Sequence, residues 1–170
     1  GNSELLPAPP PPRSVEVASL AALAAALADP TINEVVLVES ISCETRGQRC
    51  LDLSLAIDAG GVRTFELRGN CASGGDKRRC EFDGDGIAPL LRVSASGGGS
   101  VDVSIVNIDF TRGRLLSNMP GGGAGGGAAL IAASGNTTLQ IFFRDCAFVD
   151  HRVDIGSLTR YGGPVFLPPP

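Results

Sequence analysis

The stretch Ala95-Ser96-Gly97-Gly98-Gly99-Ser100-Val101-Asp102-Val103-Ser104-Ile105-Val106-Asn107-Ile108-Asp109-Phe110 is followed 38 residues later by Ala133-Ser134-Gly135-Asn136-Thr137-Thr138-Leu139-Gln140-Ile141-Phe142-Phe143-Arg144-Asp145-Cys146-Ala147-Phe148. The two align without a gap. Val101 meets Leu139, Val103 meets Ile141, Ile105 meets Phe143, Ile108 meets Cys146 and Phe110 meets Phe148. Apolar and polar residues alternate, the period of a strand with one buried face. Repeats of about 20–50 residues mark solenoids and related arrays, whose units bury their apolar faces only against their neighbours.

A weaker copy lies upstream at an offset of 36, with Gly61 on Gly97, Phe65 on Val101 and Leu67 on Val103. Stacking matched positions builds one inward column of Phe65, Val101 and Leu139 and a second of Leu67, Val103 and Ile141. Cys146 then lies over Ile108 as a buried thiol packing as a small hydrophobe. The outward residues of the same strands are Glu66, Arg68, Asp102, Ser104, Gln140 and Phe142. A β-sandwich is the competing architecture, because alternating strands and Gly-rich turns describe it too.

Working outward, Val15-Glu16-Val17 reads as a brief strand and Val35-Val36-Leu37-Val38 as a buried one. Between them Ser19 is placed to cap a helix over 20–28, where Leu and Ala favour the helix and Leu20, Leu23 and Leu27 share one stripe. Asp29-Pro30 stops it. Such a helix suits the open end of a strand stack, whose edge otherwise exposes unpaired backbone groups. Residues 1–13 and 168–170 are rich in proline and read as stiff polyproline II linkers around one module at 14–167. The 170-residue length suits a single domain.

Apolar residues make up 43% of the chain but aromatic ones only 5%, so the interior must be built from Val, Ile, Leu and Ala in thin layers. With a net charge of −4 and basic residues scattered apart from Lys77-Arg78-Arg79, the chain has no electrostatic footprint for nucleic acid. No apolar run reaches the roughly 18–20 residues of a membrane span. Five cysteines stand at 43, 50, 71, 80 and 146. Each of the first two pairs brackets a short polar loop, which reads as Cys43 with Cys50 and Cys71 with Cys80 in an oxidising compartment, although four cysteines permit three connectivities. The spacing is not that of a zinc site, and no metal or cofactor is expected.

Glu66 and Asp102, if stacked on adjacent strands about 4.8 Å apart, would be the candidate carboxylate pair of a retaining glycosidase. That column continues as Gln140, and outward strand positions are ordinarily polar. Asp83-Gly84-Asp85-Gly86 resembles part of a calcium loop, but Ile87 stands where an oxygen ligand is needed, so it reads as a turn. The run 121–127 lacks the Lys-Ser or Lys-Thr of a phosphate cradle and reads as a loop. His151 has no nucleophile at a recognised spacing. Asn136-Thr137-Thr138 is a glycosylation sequon on the turn between two repeat strands.

The repeat, with Gly126-Gly127-Ala128-Ala129-Leu130-Ile131 leading into 139–148 and Gly162-Gly163-Pro164-Val165 starting again, resembles the pectin-lyase-like superfamily. It is closest in pattern to members with Gly-Gly-Ala repeats similar to polymorphic outer-membrane proteins. Those usually carry Asn shortly after the repeat's Phe, where this chain has Val149-Asp150 and Thr111-Arg112. The resemblance implies an all-β, right-handed parallel β-helix with a short N-terminal capping helix. It does not imply chemistry, since the hydrolase motifs Asn-x-Asp, Asp-Asp and Gly-His-Gly are absent. The functional expectation is a non-catalytic extracellular or cell-surface module binding polysaccharide or an extracellular protein through the outward face. A polysaccharide lyase or glycoside hydrolase and a surface-adhesin segment are the alternatives. The C-terminal end of the stack lacks a cap after 165–167, and further coils or a neighbouring domain are expected to cover it.

Overall fold

A computed structural model describes residues 11, 13–43, 51–56, 61–86, 90–116, 129–150, 152–155, 158–160 and 165–166, with side chains at 51–56, 115–116, 129–130 and beyond 150 excluded. The proline-rich flanks apart from Pro11 and Arg13, together with Cys50, Ile87, the glycine run at 121–127 and His151, lie outside the described residues.

The chain opens with β1 (Arg13–Val17) and α1 (Leu20–Ala28). The Ser19 hydroxyl accepts the Ala22 N–H at 3.2 Å, filling one of the amide valences a helix start leaves open. Leu23 and Ala26 are buried while Leu20 and Leu27 are partly so, and the helix packs beside β1, β2 (Ile32–Leu37) and β4 (Leu51–Ala56). Ser19→Ala should lower stability by about 1 kcal/mol. An unchanged denaturation midpoint would show that the cap is dispensable.

The remaining strands are β3 (Ile41–Ser42), β5 (Val62–Gly69), β6 (Cys80–Asp83), β7 (Leu91–Ser96), β8 (Ser100–Val106), β9 (Ile108–Thr111), β10 (Arg114–Leu116), β11 (Ala129–Ala133), β12 (Thr138–Arg144), β13 (Ala147–Val149), β14 (Arg152–Ile155), β15 (Leu158–Arg160) and β16 (Val165–Phe166). A 3-10 segment over Ala72–Lys77 joins β5 to β6. Among the described residues three of the four sheets run parallel throughout, in the orders β1-β2-β5-β8-β12, β3-β6-β9-β13 and β4-β7-β11-β16. From β2 to β9 the chain visits these sheets in strict rotation. Strands β10, β14 and β15 form the fourth sheet, in which β14 and β15 are antiparallel.

Register follows the longer repeat. Val101 pairs with Leu139, Val103 with Ile141, Ile105 with Phe143 and Phe110 with Phe148, as the alignment predicts. The upstream copy is displaced by two residues from its expected place. Phe65 pairs with Val103 and Leu67 with Ile105, so the columns are Phe65–Val103–Ile141 and Leu67–Ile105–Phe143, and Arg63 faces Val101. A shift of two leaves every side chain on its own face, so alternation alone cannot tell the two registers apart. The backbone settles it, because Ser100 N–H donates to the Gly61 carbonyl and Thr138 N–H to that of Gly99, which puts Gly61 beside Gly99 rather than Gly97.

The core is largely aliphatic over the first sheet, with Phe65 and Phe143 among its inward residues, and aromatic along the second. Phe82, Phe110 and Phe148 form a ladder with ring centroids 6.1 Å and 5.2 Å apart, and Phe143 meets Phe148 edge-on at 5.1 Å. The turns repeat with the strands: positive φ occurs at Gly97 and Gly135, Gly98 and Asn136, Asn107 and Asp145, and Arg112 and Asp150. Glycine, Asn and Asp tolerate this left-handed region best. Gly69, the last residue of β5, has no such φ but could carry no side chain, since a Cβ there would lie 2.2 Å from the Asn107 carbonyl oxygen.

Cys71 and Cys80 form a disulfide across the β5–β6 corner, with a Cα–Cα distance of 5.2 Å. Cys43 is also disulfide-bonded. Cys146 is a free thiol, half-buried rather than enclosed, with Sγ donating towards the Ile105 carbonyl at 3.3 Å. Burial pushes this thiol's pKa up despite hydrogen bonds that act the other way. Its exposure follows from position: β12 is the last strand of its sheet, and Leu139, Ile141, Phe143 and Phe148 are likewise only partly buried while their partners on β8 and β9 are fully enclosed. Among the described residues no helix is long and apolar enough to cross a membrane.

Candidate functional site

The outward side of the first sheet carries a groove of about 540 Å³ lined by Asn33, Glu34, Thr64, Phe65, Glu66, Asp102, Ser104 and Phe142. Its residues come from four successive strands. Parallel pairing sets Glu34, Glu66, Ser104 and Phe142 in one row across the strands and Thr64, Asp102 and Gln140 in the next. Arg68 stands in a third row with Val106 and Arg144.

The expected stacking of Glu66 on Asp102 is therefore not found. Glu66 lies opposite Ser104, and Asp102 opposite Thr64. One strand across and two residues along, from spacings of about 4.8 and 6.6 Å, separate the two Cα atoms by roughly 8 Å. The cause is the same two-residue displacement. Both carboxylates still line one groove with Ser104 and Phe142, whereas Arg68 stands at its margin and Gln140 is exposed beside Asp102.

Arg68 bridges two of the acids, pairing with Glu34 and, through Nε at 3.4 Å, with Glu66. A hydrogen bond from Ser14 and the Arg68 guanidinium hold the Glu34 carboxyl below the usual carboxylate range, against the partial burial that would raise it. These pairs are half exposed, and their worth lies in holding side-chain positions more than in stability. Asn33 is the extra residue of a bulge in β2, where Arg13 faces Ile32 and Ser14 already faces Glu34. A bulge of this kind re-aims a side chain, and the Asn33 amide donates to the Thr64 carbonyl at 3.4 Å. Phe142 is 54% exposed. The ring stands in the row of Glu34, Glu66 and Ser104, the apolar member of an otherwise polar row.

Asn33, Glu34 and Thr64 are absent from the sequence-based set. Thr64 was legible, two residues before Glu66 on the same alternating strand. Asn33 and Glu34 were not, because β2 belongs to no detected repeat and a bulge leaves no periodic trace.

At another corner Asp83 and Asp85 face Arg112, with Arg112 Nε donating to Asp83 at 3.0 Å and Nη1 lying 3.1 Å from Asp85. Asp83 also accepts the Asp85 N–H at 2.8 Å, which makes the segment a turn closed by an arginine. Burial acts to raise the Asp83 pKa, but the hydrogen bonds from Arg112 and Asp85 outweigh it and hold the carboxyl low. Among the described residues no three His, Cys, Asp or Glu side chains converge as metal ligands. In the basic cluster Lys77 and Arg78 are exposed, whereas Arg79 lies 3.0 Å from Asp109. Asn136 is exposed on the turn before β12, and the Thr137 hydroxyl accepts the Gly98 N–H at 2.9 Å.

The chain finds no match among protein-family models, curated proteins or solved structures.

Proposed function

We propose that the chain is a right-handed parallel β-helix module, related to the pectin-lyase-like superfamily, that binds a glycan without transforming it. Rotation of the strands among three parallel sheets, with equivalent residues stacked 38 positions apart, supports the architecture. The Cys71–Cys80 disulfide supports an extracellular or cell-surface setting, and the Asn136 sequon fits it. The observation that carries the binding role is the groove itself. It sets an exposed Phe142 ring beside carboxylate, hydroxyl and amide groups, within the roughly 300–1,000 Å³ typical of ligand sites. A pyranose presents an apolar C–H face and a rim of hydroxyls. The ring takes the first, and Asp102, Ser104, Thr64 and Asn33 take the second.

Retention on immobilised polysaccharides tests the role. Phe142→Ala should weaken retention about tenfold, the equivalent of ~1.4 kcal/mol, with the fold intact by circular dichroism. Undiminished retention would move the site elsewhere. The catalytic alternative rests on Glu66 and Asp102 sharing the groove. Turnover of a polysaccharide that disappears in both Glu66→Gln and Asp102→Asn would replace binding with catalysis.

A further inference from the structure

Charge in the groove narrows the ligand, on the proposed reading that a glycan binds there. Among the described residues three carboxylates, Glu34, Glu66 and Asp102, line it, and Arg68, paired with Glu34 and Glu66 at its margin, offsets only one of the three charges. The nearest arginines, Arg68 and Arg144, belong to the next row of the sheet, and Arg68 is already engaged by Glu34 and Glu66. A polyuronate carries a carboxylate on every sugar. Laid along this groove it would bring like charges together, a juxtaposition that costs affinity and selects against the wrong partner. An uncharged chain meets no such cost, because its hydroxyls donate to the same carboxylates in charge-assisted hydrogen bonds, which are stronger than neutral ones.

We infer that the groove selects an uncharged polysaccharide of hexoses or pentoses and rejects polyuronates, the ligand class that a pectin-type resemblance would suggest. The row from Glu34 to Phe142 crosses three strand spacings, about 14 Å, so a short run of sugars is read at once. At one end the ring fixes a sugar face. At the other, Glu34 is held ionised and in place by Ser14 and Arg68.

The test immobilises glucan, xylan, mannan and polygalacturonate and measures retention of the whole chain at low and physiological salt, with chelator and with added calcium. At least one uncharged polymer should be retained ten or more times more strongly than polygalacturonate. The double variant Glu66→Gln/Asp102→Asn removes two charges and keeps amide groups of similar shape, so it should narrow that gap several-fold by raising polygalacturonate retention. Stronger retention of polygalacturonate than of every uncharged polymer, with or without calcium, would overturn the selectivity while leaving glycan binding intact. A gap unchanged in the double variant would likewise overturn it. Failure to retain any of the four would remove the binding role and the selectivity with it.

Discussion

Phe110→Ala is expected to destabilise the fold by about 3–5 kcal/mol, the range for deleting a fully buried aromatic side chain. The ring is completely enclosed, stacked at 5.2 Å on Phe148, tilted at 6.1 Å against Phe82 and met edge-on by Phe143 at 6.5 Å. Its removal takes away the middle rung of the aromatic ladder. The layers on either side are joined to it by parallel pairing through β6, β9 and β13, so neighbouring strands cannot close the gap without shifting their own registers. Denaturant unfolding of Phe110→Ala beside Phe142→Ala gives the measurement. The exposed Phe142 should cost well under about 1 kcal/mol. Similar costs for both would mean that the ladder is not part of the core.

The second large effect is expected from Cys71→Ala/Cys80→Ala, at about 2–3 kcal/mol for a staple closing so short a loop. For a chain of this size that lowers Tm by roughly 5–10 °C. Both cysteines are fully buried, and the bond fixes the place where Gly69 abuts Asn107 and where the chain passes from the first sheet to the second. A reducing agent should shift wild-type Tm in the same direction and by more than it shifts the variant, which keeps the Cys43 disulfide. A wild-type protein indifferent to reductant would show that packing alone holds the corner. Alanine serves better than serine here, because an unpartnered hydroxyl in a buried site adds a desolvation cost of its own.

Both effects arise in the structure that positions the groove. The row of Glu34, Glu66, Ser104 and Phe142 exists only while four strands keep their mutual register, and that register is held from inside by aliphatic and aromatic columns. On the proposed binding role, loosening the core is therefore expected to weaken retention without any groove residue being touched. Comparing retention of Phe110→Ala with that of Phe142→Ala, each at a temperature where it remains folded, separates lost alignment from lost contact.

How much could be read in advance differs from element to element. The helix over Leu20–Ala28 was legible with its cap and its stop, because propensity, the Ser19 hydroxyl and Pro30 are local signals needing no partner. The pairing of β8 with β12 was legible as well, since sixteen aligned positions without a gap leave one register. The disulfide at Cys71 and Cys80 followed from two cysteines closing one small loop. The Phe82 rung of the phenylalanine ladder was not foreseen, because Phe82 and Phe110 are 28 residues apart, a different spacing from the 38 that separates Phe110 from Phe148.

What the amino-acid order determined by itself is therefore the set of faces: which residues point inward, which outward, and where the chain turns. Which outward residues become neighbours was decided only in three dimensions. A two-residue displacement keeps every side chain on its face, so it is invisible to alternation, yet it places Glu66 by Ser104 instead of Asp102. Backbone hydrogen bonds at the glycine turns mark that choice. Such contacts depend on where two distant segments meet, and a single strand's pattern carries no record of its partner's position.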